Sequence, residues 1–183
     1  MEIKYFGNNK IFIKGKKESV WLNPKKSNLE DKNYYARIII FTDKENNFIK
    51  LGEEGEKVII SGAGEYEIGG IEIMGLVGMY VINVDGVKIL FLGREEGELS
   101  EKKKEKLEEA DVLLNSINDK SIEMTKKSAA NYVIPVDFEA REAEFKKFLD
   151  EYDKEEAIFV DSLKVEKDNL PEGVEVVLLK TQA

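Results

Sequence analysis

Neither histidine nor cysteine occurs anywhere in the 183 residues. The missing thiol excludes disulfides, thiolate metal ligands and a cysteine nucleophile. The missing imidazole excludes a serine–histidine pair and any histidine-ligated metal. No apolar run approaches the ~20 residues that a membrane-spanning helix needs. Met1 to Phe6 carries no long apolar stretch behind a basic segment, so no secretory signal is expected and the cytoplasm is the expected compartment. Positive charge is in deficit too: 28 basic against 37 acidic side chains give a formal net charge of −9. An acidic surface repels phosphate backbones, so neither nucleic acid nor a membrane is an expected partner. The densest basic stretches, Lys102-Lys103-Lys104 and Lys126-Lys127, lie beside glutamates or in helix-like segments and read as solvated helix faces. Gly62-Ala63-Gly64 lacks the lysine and the helix of a phosphate loop.

What the chain does have is alternation broken by glycine. Val58 to Ile60 is apolar and enters a corner at Gly62 and Gly64. Glu65 to Ile68 alternates polar and apolar, Gly69-Gly70 reverses the chain, and Ile71 to Leu76 alternates again, which spells strand, hairpin turn, strand. Glu65 and Tyr66 belong to this corner and read as structural. Upstream, Ile3–Phe6, Ile11–Ile13 and Val20–Leu22 form a meander. Lys25 to Asn33 reads as a polar loop. The β-branched run in Arg37–Thr42 reads as a strand buried on both faces. Downstream, Asp85-Gly86 between Met79–Val84 and Val87–Leu92 is a hairpin signal. Ser100 reads as the N-cap of a charged helix to about Glu109. A short strand at Val112–Leu114, a helix over Ser121–Ala130 and a strand at Tyr132–Pro135 follow. The helix Glu139–Tyr152 gathers Phe145, Phe148, Leu149 and Tyr152 on one face, a core stripe. Ala157–Val160, Leu163–Val165 and Val174–Leu179 read as strands. Hairpins first, then helices alternating with strands, indicate a layered α/β or α+β domain over residues 1–183, large enough to bury about 70% of its unfolded surface.

The glycine-glutamate-tyrosine corner and its hairpin resemble those of the metallo-β-lactamase-like hydrolases, in the branch that includes the L-ascorbate-6-phosphate lactonases. The resemblance runs almost end to end. It implies a four-layer αββα sandwich, two sheets covered on each outer side by helices. It also implies a dinuclear zinc site held largely by histidine, and there this sequence departs. After the buried strand, where the family has a histidine-rich loop, stand Asp43, Glu45 and Phe48 at histidine positions and Asn47 at an aspartate position. The loop that carries the next histidine shrinks to the few residues between Leu76 and Met79. Arg94, after Gly93, takes the place of the bridging aspartate. Asp137, after Ile134-Pro135-Val136, takes that of the last histidine. Near the N-terminus Gly7-Asn8 stands for glycine-histidine, and Asn23-Pro24 for aspartate-proline.

Loss of the ligand histidines, a shortened ligand loop and an added arginine argue together against a zinc hydrolase. A non-catalytic member is expected, without cofactor, that works by binding an unknown protein partner or by self-association; lactonases of the related branch can be oligomeric. Three readings of the carboxylates Asp43, Glu45 and Asp137 stay open. They are solvated and apart, or clustered and paired with Arg94, or they hold a hard divalent cation for a hydrolase of the same fold.

Overall fold

The computed structural model describes residues 1–42, 57–93, 99–126, 128–154 and 157–182. Strands β1 (Glu2–Tyr5), β2 (Ile11–Lys14) and β3 (Ser19–Leu22) form an antiparallel meander. Parallel β4 (Ile38–Phe41) and β5 (Val58–Ser61) extend it. On the other side of β1 lies β13 (Leu163–Lys164), where Glu2 pairs with Lys164. This six-stranded sheet has the order β13-β1-β2-β3-β4-β5.

The second sheet begins with the glycine-cornered hairpin of β6 (Gly64–Ile68) and β7 (Ile71–Leu76). It continues through β8 (Met79–Val84) and β9 (Val87–Leu92) to parallel β10 (Val112–Ser116), β11 (Tyr132–Val136) and β14 (Glu175–Val176). Two of its two-residue reversals need left-handed backbone at both central residues. Gly69 and Gly70 lie at φ 59° and 86°, and Asp85 and Gly86 at φ 53° and 82°. Glycine and aspartate are the residues that tolerate this, and such turns match the twist of the flanking strands.

The sheets pack face to face over one apolar layer that includes Ile13, Ile38 and Ile40 from the first and Ile82, Ile89 and Leu114 from the second. Alternation along each strand sends the intervening side chains outward. Phe12, Trp21 and Ile39 meet Leu29 and Tyr34 outside the first sheet. Leu90, Leu113 and Val133 meet Leu107, Ile122 and Phe148 outside the second. Those partners sit on α1 (Lys26–Glu30) and a 3-10 turn (Lys32–Tyr34) for the first sheet. On the second they sit on α2 (Glu101–Glu108), α3 (Asp119–Thr125) and α4 (Glu142–Glu151). The order is helix, sheet, sheet, helix, as the resemblance implies.

Some elements differ from the sequence reading. Residues 25–33 are not a loop. The Asn28 side chain accepts the Lys25 N–H at 2.9 Å and Asp31 accepts that of Asn33, so local capping starts two short helical turns that Leu29 and Tyr34 anchor. Ser100 holds the N-cap position of α2 without a side-chain capping bond. Helix α3 starts two residues early, because Asn118 and Ser121 exchange capping bonds of 2.8 and 2.9 Å, and it ends at Thr125. Helix α4 starts at Glu142, and its aromatic stripe packs as expected on the second sheet. Residues 174–179 are not one strand. Val176 pairs with β11, Val177 still donates to Val133, and β15 (Leu178–Leu179) crosses to pair with β12 (Phe159–Val160). Among the described residues no helix is long and apolar enough to cross a membrane.

Candidate functional site

The strand directions bring one set of chain reversals to a single end of the sandwich. β1, β3, β4 and β5 run toward it from the first sheet, and β9, β10 and β11 from the second. In layered α/β folds, loops at the carboxyl ends of strands are where chemistry collects. The backbone marks the same end. Asn8, Asn9, Asn23 and Asp137 all have left-handed φ, between 46° and 61°. Asparagine and aspartate reach that region more readily than other side chains, and such residues gather where a fold aims groups at a site.

Asn23 shows what its position does. Its Oδ1 accepts the Thr42 N–H at 2.8 Å and its Nδ2 lies 2.8 Å from Thr42 Oγ1. A second bond runs from Nδ2 to the Asn9 carbonyl at 3.3 Å. One amide thus ties the ends of β3 and β4 to the β1–β2 turn. Tyr80 makes a comparable tie. Its hydroxyl accepts the Gly62 N–H at 2.8 Å and lies within reach of the carbonyls of Gly62 and Phe41. That bond holds the glycine corner against the end of β4.

Asp137, at the end of β11, is buried. Its backbone N–H donates to the Tyr5 hydroxyl at 2.8 Å, and that hydroxyl donates to Glu139 Oε2 at 2.9 Å. Thr181 donates to the other Glu139 oxygen at 3.2 Å. Arg141 places Nε 3.8 Å from the Asp137 carboxylate. Lys10 is buried nearby. Burial pushes its ammonium below the ordinary lysine range, with the Lys25 charge adding to the effect and Glu139 and Asp137 opposing it. Burial, then the hydrogen bond to Glu139, push the Tyr5 phenol well above its ordinary range.

The Tyr5 shift has a pH consequence. The folded phenol keeps its proton where the unfolded one, near pH 10, loses it. Stability is therefore full below about pH 10 and falls as pH rises beyond it, by up to about 1.4 kcal/mol per pH unit for this group. Lys10 acts in the opposite sense, its penalty fading as pH rises toward about 10.5. Tyr5→Phe should lose about 1–2 kcal/mol at neutral pH and show a shallower decline between pH 9 and 11. Urea unfolding at a series of pH values measures both; parallel wild-type and variant curves would contradict it.

Of the site residues expected from the sequence, Asp137 lies at this end and is engaged with Arg141 and, through its backbone, with Tyr5. Asp43, Glu45, Asn47, Phe48 and Arg94 fall outside the described residues. The loop expected to be missing between Leu76 and Met79 is a two-residue turn, Val77-Gly78, with Gly78 at φ 74° and Val77 81% exposed. Tyr5, Lys10, Glu139 and Arg141 were not singled out in the sequence. Arg141 was within reach of a reading, four residues beyond Asp137; nothing local ties Tyr5 to Glu139 across 134 positions.

Two facing sheets, outer helices and polar loops at one end define a sandwich of the metallo-β-lactamase class. The chain belongs to the beta-lactamase superfamily domain family, which matches residues 2–138. Solved structures agree on the fold. A Thermotoga maritima protein of the metallo-β-lactamase superfamily is 19% identical over 98% of both chains, with a TM-score of 0.75. Igni18, a metallo hydrolase from Ignicoccus hospitalis, is 15% identical over 83% of this chain and 90% of its own, with a TM-score of 0.60. The metallo-β-lactamase fold protein YhfI from Bacillus subtilis is 10% identical over 98% of this chain and 96% of its own, at 0.61. No curated protein sequence matches the chain.

The zinc that this fold family implies does not fit the donor set. The chain offers no imidazole or thiol. Of the described carboxylates at the matching end, Asp137 faces a guanidinium and Glu139 accepts from Tyr5 and Thr181. Among the described residues no three histidine, cysteine, aspartate or glutamate side chains are grouped to hold a metal ion. Catalytic zinc sites rely on nitrogen or sulfur donors with a clear approach for the cation.

Proposed function

We propose that this protein is a pseudoenzyme, a single domain of the metallo-β-lactamase fold that has given up the dinuclear zinc site. It serves in the cytoplasm as a binding or assembly module. The observation that carries this reading is the Val77-Gly78 turn. Where the resemblance places a metal-binding histidine loop, the chain joins β7 to β8 directly. Asp137 supports it, because its carboxylate is already engaged with a cation of the chain itself. The strand-end loops then remain as a scaffold, tied by Asn23, Tyr80 and the Tyr5–Glu139 pair, without the electrophile the fold was built around.

Elemental analysis of protein purified without chelator tests the proposal. The expected result is no stoichiometric zinc, and no hydrolysis of lactam, lactone, thioester or phosphodiester substrates. One or more zinc ions per chain, with activity lost on chelation, would overturn it. Stoichiometric magnesium or manganese would instead favour a hydrolase using Asp43, Glu45 and Asp137. Oxygen-only sites suit those hard ions, but the Arg141 charge beside Asp137 opposes them.

A further inference from the structure

Helices α2 to α4 cover only part of the second sheet. The outer face of β6, β7 and the adjoining part of β8 carries an open groove of about 460 Å³ whose lining includes Glu65, Glu67, Glu72, Met74, Val81 and Lys106. Met74 and Val81 are half-buried and give it an apolar patch. Its basic residues are already engaged: Glu109 takes Lys106 at 3.1 Å and Lys88 at 3.4 Å. Two glutamates on its rim are not. Glu67 lies directly opposite Glu72 across the β6–β7 ladder, and Glu65 shares that face two residues away. Glu72 accepts a bond from Asn83 at 3.0 Å, while among the described residues Glu65 and Glu67 have no ion pair or side-chain hydrogen bond. Like charges directly opposite one another destabilise a ladder, and the described cations that line the groove, Lys88 and Lys106, are taken by Glu109. Strand β6 is also the terminal strand of its sheet, and no described strand pairs with its outer edge.

We propose that this groove and the β6 edge dock a basic, extended polypeptide segment of a partner protein. The segment adds as a further strand, its backbone bonding to the outer edge of β6. Side chains on one face of a strand recur every second residue. Lysines at alternate positions of the segment therefore meet Glu65 and Glu67, the first acidic side chains inward from that edge. The same glutamates oppose pairing with a second copy, because β6 against β6 sets glutamate against glutamate. The proposal names a partner class for the binding role above. Zinc analysis tests the lost metal centre and is indifferent to this face.

Calorimetric titration of the full chain with an end-blocked peptide of alternating lysine and valine tests it. A peptide of equal charge with a central proline is the control, since proline cannot complete a ladder. Binding of the first peptide is expected, at least tenfold tighter than the control and weakening as salt rises. Glu65→Gln with Glu67→Gln should weaken it at least tenfold, while Glu142→Gln with Asp150→Asn, on exposed α4 positions, should not. The first double variant should also raise the unfolding midpoint of the free protein slightly, by relieving the repulsion. Equal affinity for both peptides, no binding, equal loss in both variants, a lowered midpoint, or dimerisation through β6 would each overturn the proposal.

Discussion

Trp21→Ala is expected to lower stability by about 4 kcal/mol, because a fully buried indole leaves a cavity that its surroundings fill only in part. The ring lies 4.9 Å from Phe6 and 5.1 Å from Phe12, and its Nε1–H donates to the Tyr34 carbonyl at 2.8 Å. The substitution strands that carbonyl as well as emptying the space. It also loosens β3 two residues before Asn23, the amide that ties β3 to β4. For a domain of this size the loss corresponds to a fall in midpoint of roughly 8–16 °C. Circular dichroism is the probe to use, since the chain has one tryptophan and the variant has none. A fall under about 2 °C would show that the outer layer of the first sheet holds little of the fold.

Gly75→Ala should cost about 2–3 kcal/mol, at the upper end for overpacking. The added methyl would run into the carbonyl oxygen of Gly62 and come within 3.0 Å of the Tyr80 ring. Neither can move cheaply. The carbonyl belongs to the corner between β5 and β6, and Tyr80 holds that corner through its hydroxyl. The strain therefore passes to the end of β4. Chemical denaturation measures the loss, and an unchanged midpoint would mean that the corner is softer than its bonding indicates. Gly62→Ala tests the same corner from the other side, through its φ of 98°.

These two positions show what a single sequence can disclose. The hairpins were legible because their turns need left-handed backbone, and glycine pairs and Asp-Gly advertise it. β4 was legible because four consecutive apolar residues fit a strand covered on both faces, and all four are buried. The turns in residues 25–33 were not, because they depend on Asn28 and Asp31 capping groups within a polar stretch that periodicity cannot parse. The break at Val177 was hidden as well: the apolar run Val176-Val177-Leu178-Leu179 passes straight through it, and only the sheets differ. The site was half legible. Asp137 follows a proline-containing strand end and could be placed by resemblance. Tyr5 reads as an ordinary inward-facing strand residue, and its hydroxyl becomes a site group only because β11 ends beside β1. Lys10 looks like any turn lysine until the fold buries it.

The pairing of Glu2 with Lys164 carries a consequence for how the chain is made. Strand β1 leaves the ribosome some 160 residues ahead of its outer neighbour. At synthesis rates of about 5–20 residues per second that is a wait of roughly 8–30 s. The β1–β2–β3 meander is local and can close early. Its outer edge then stays open until β13 arrives, a long-range contact of the kind that slows folding. An unpaired strand edge invites pairing with other nascent chains. The interval in which this protein is most exposed to misassembly is therefore set by translation speed rather than by the stability of the finished sandwich.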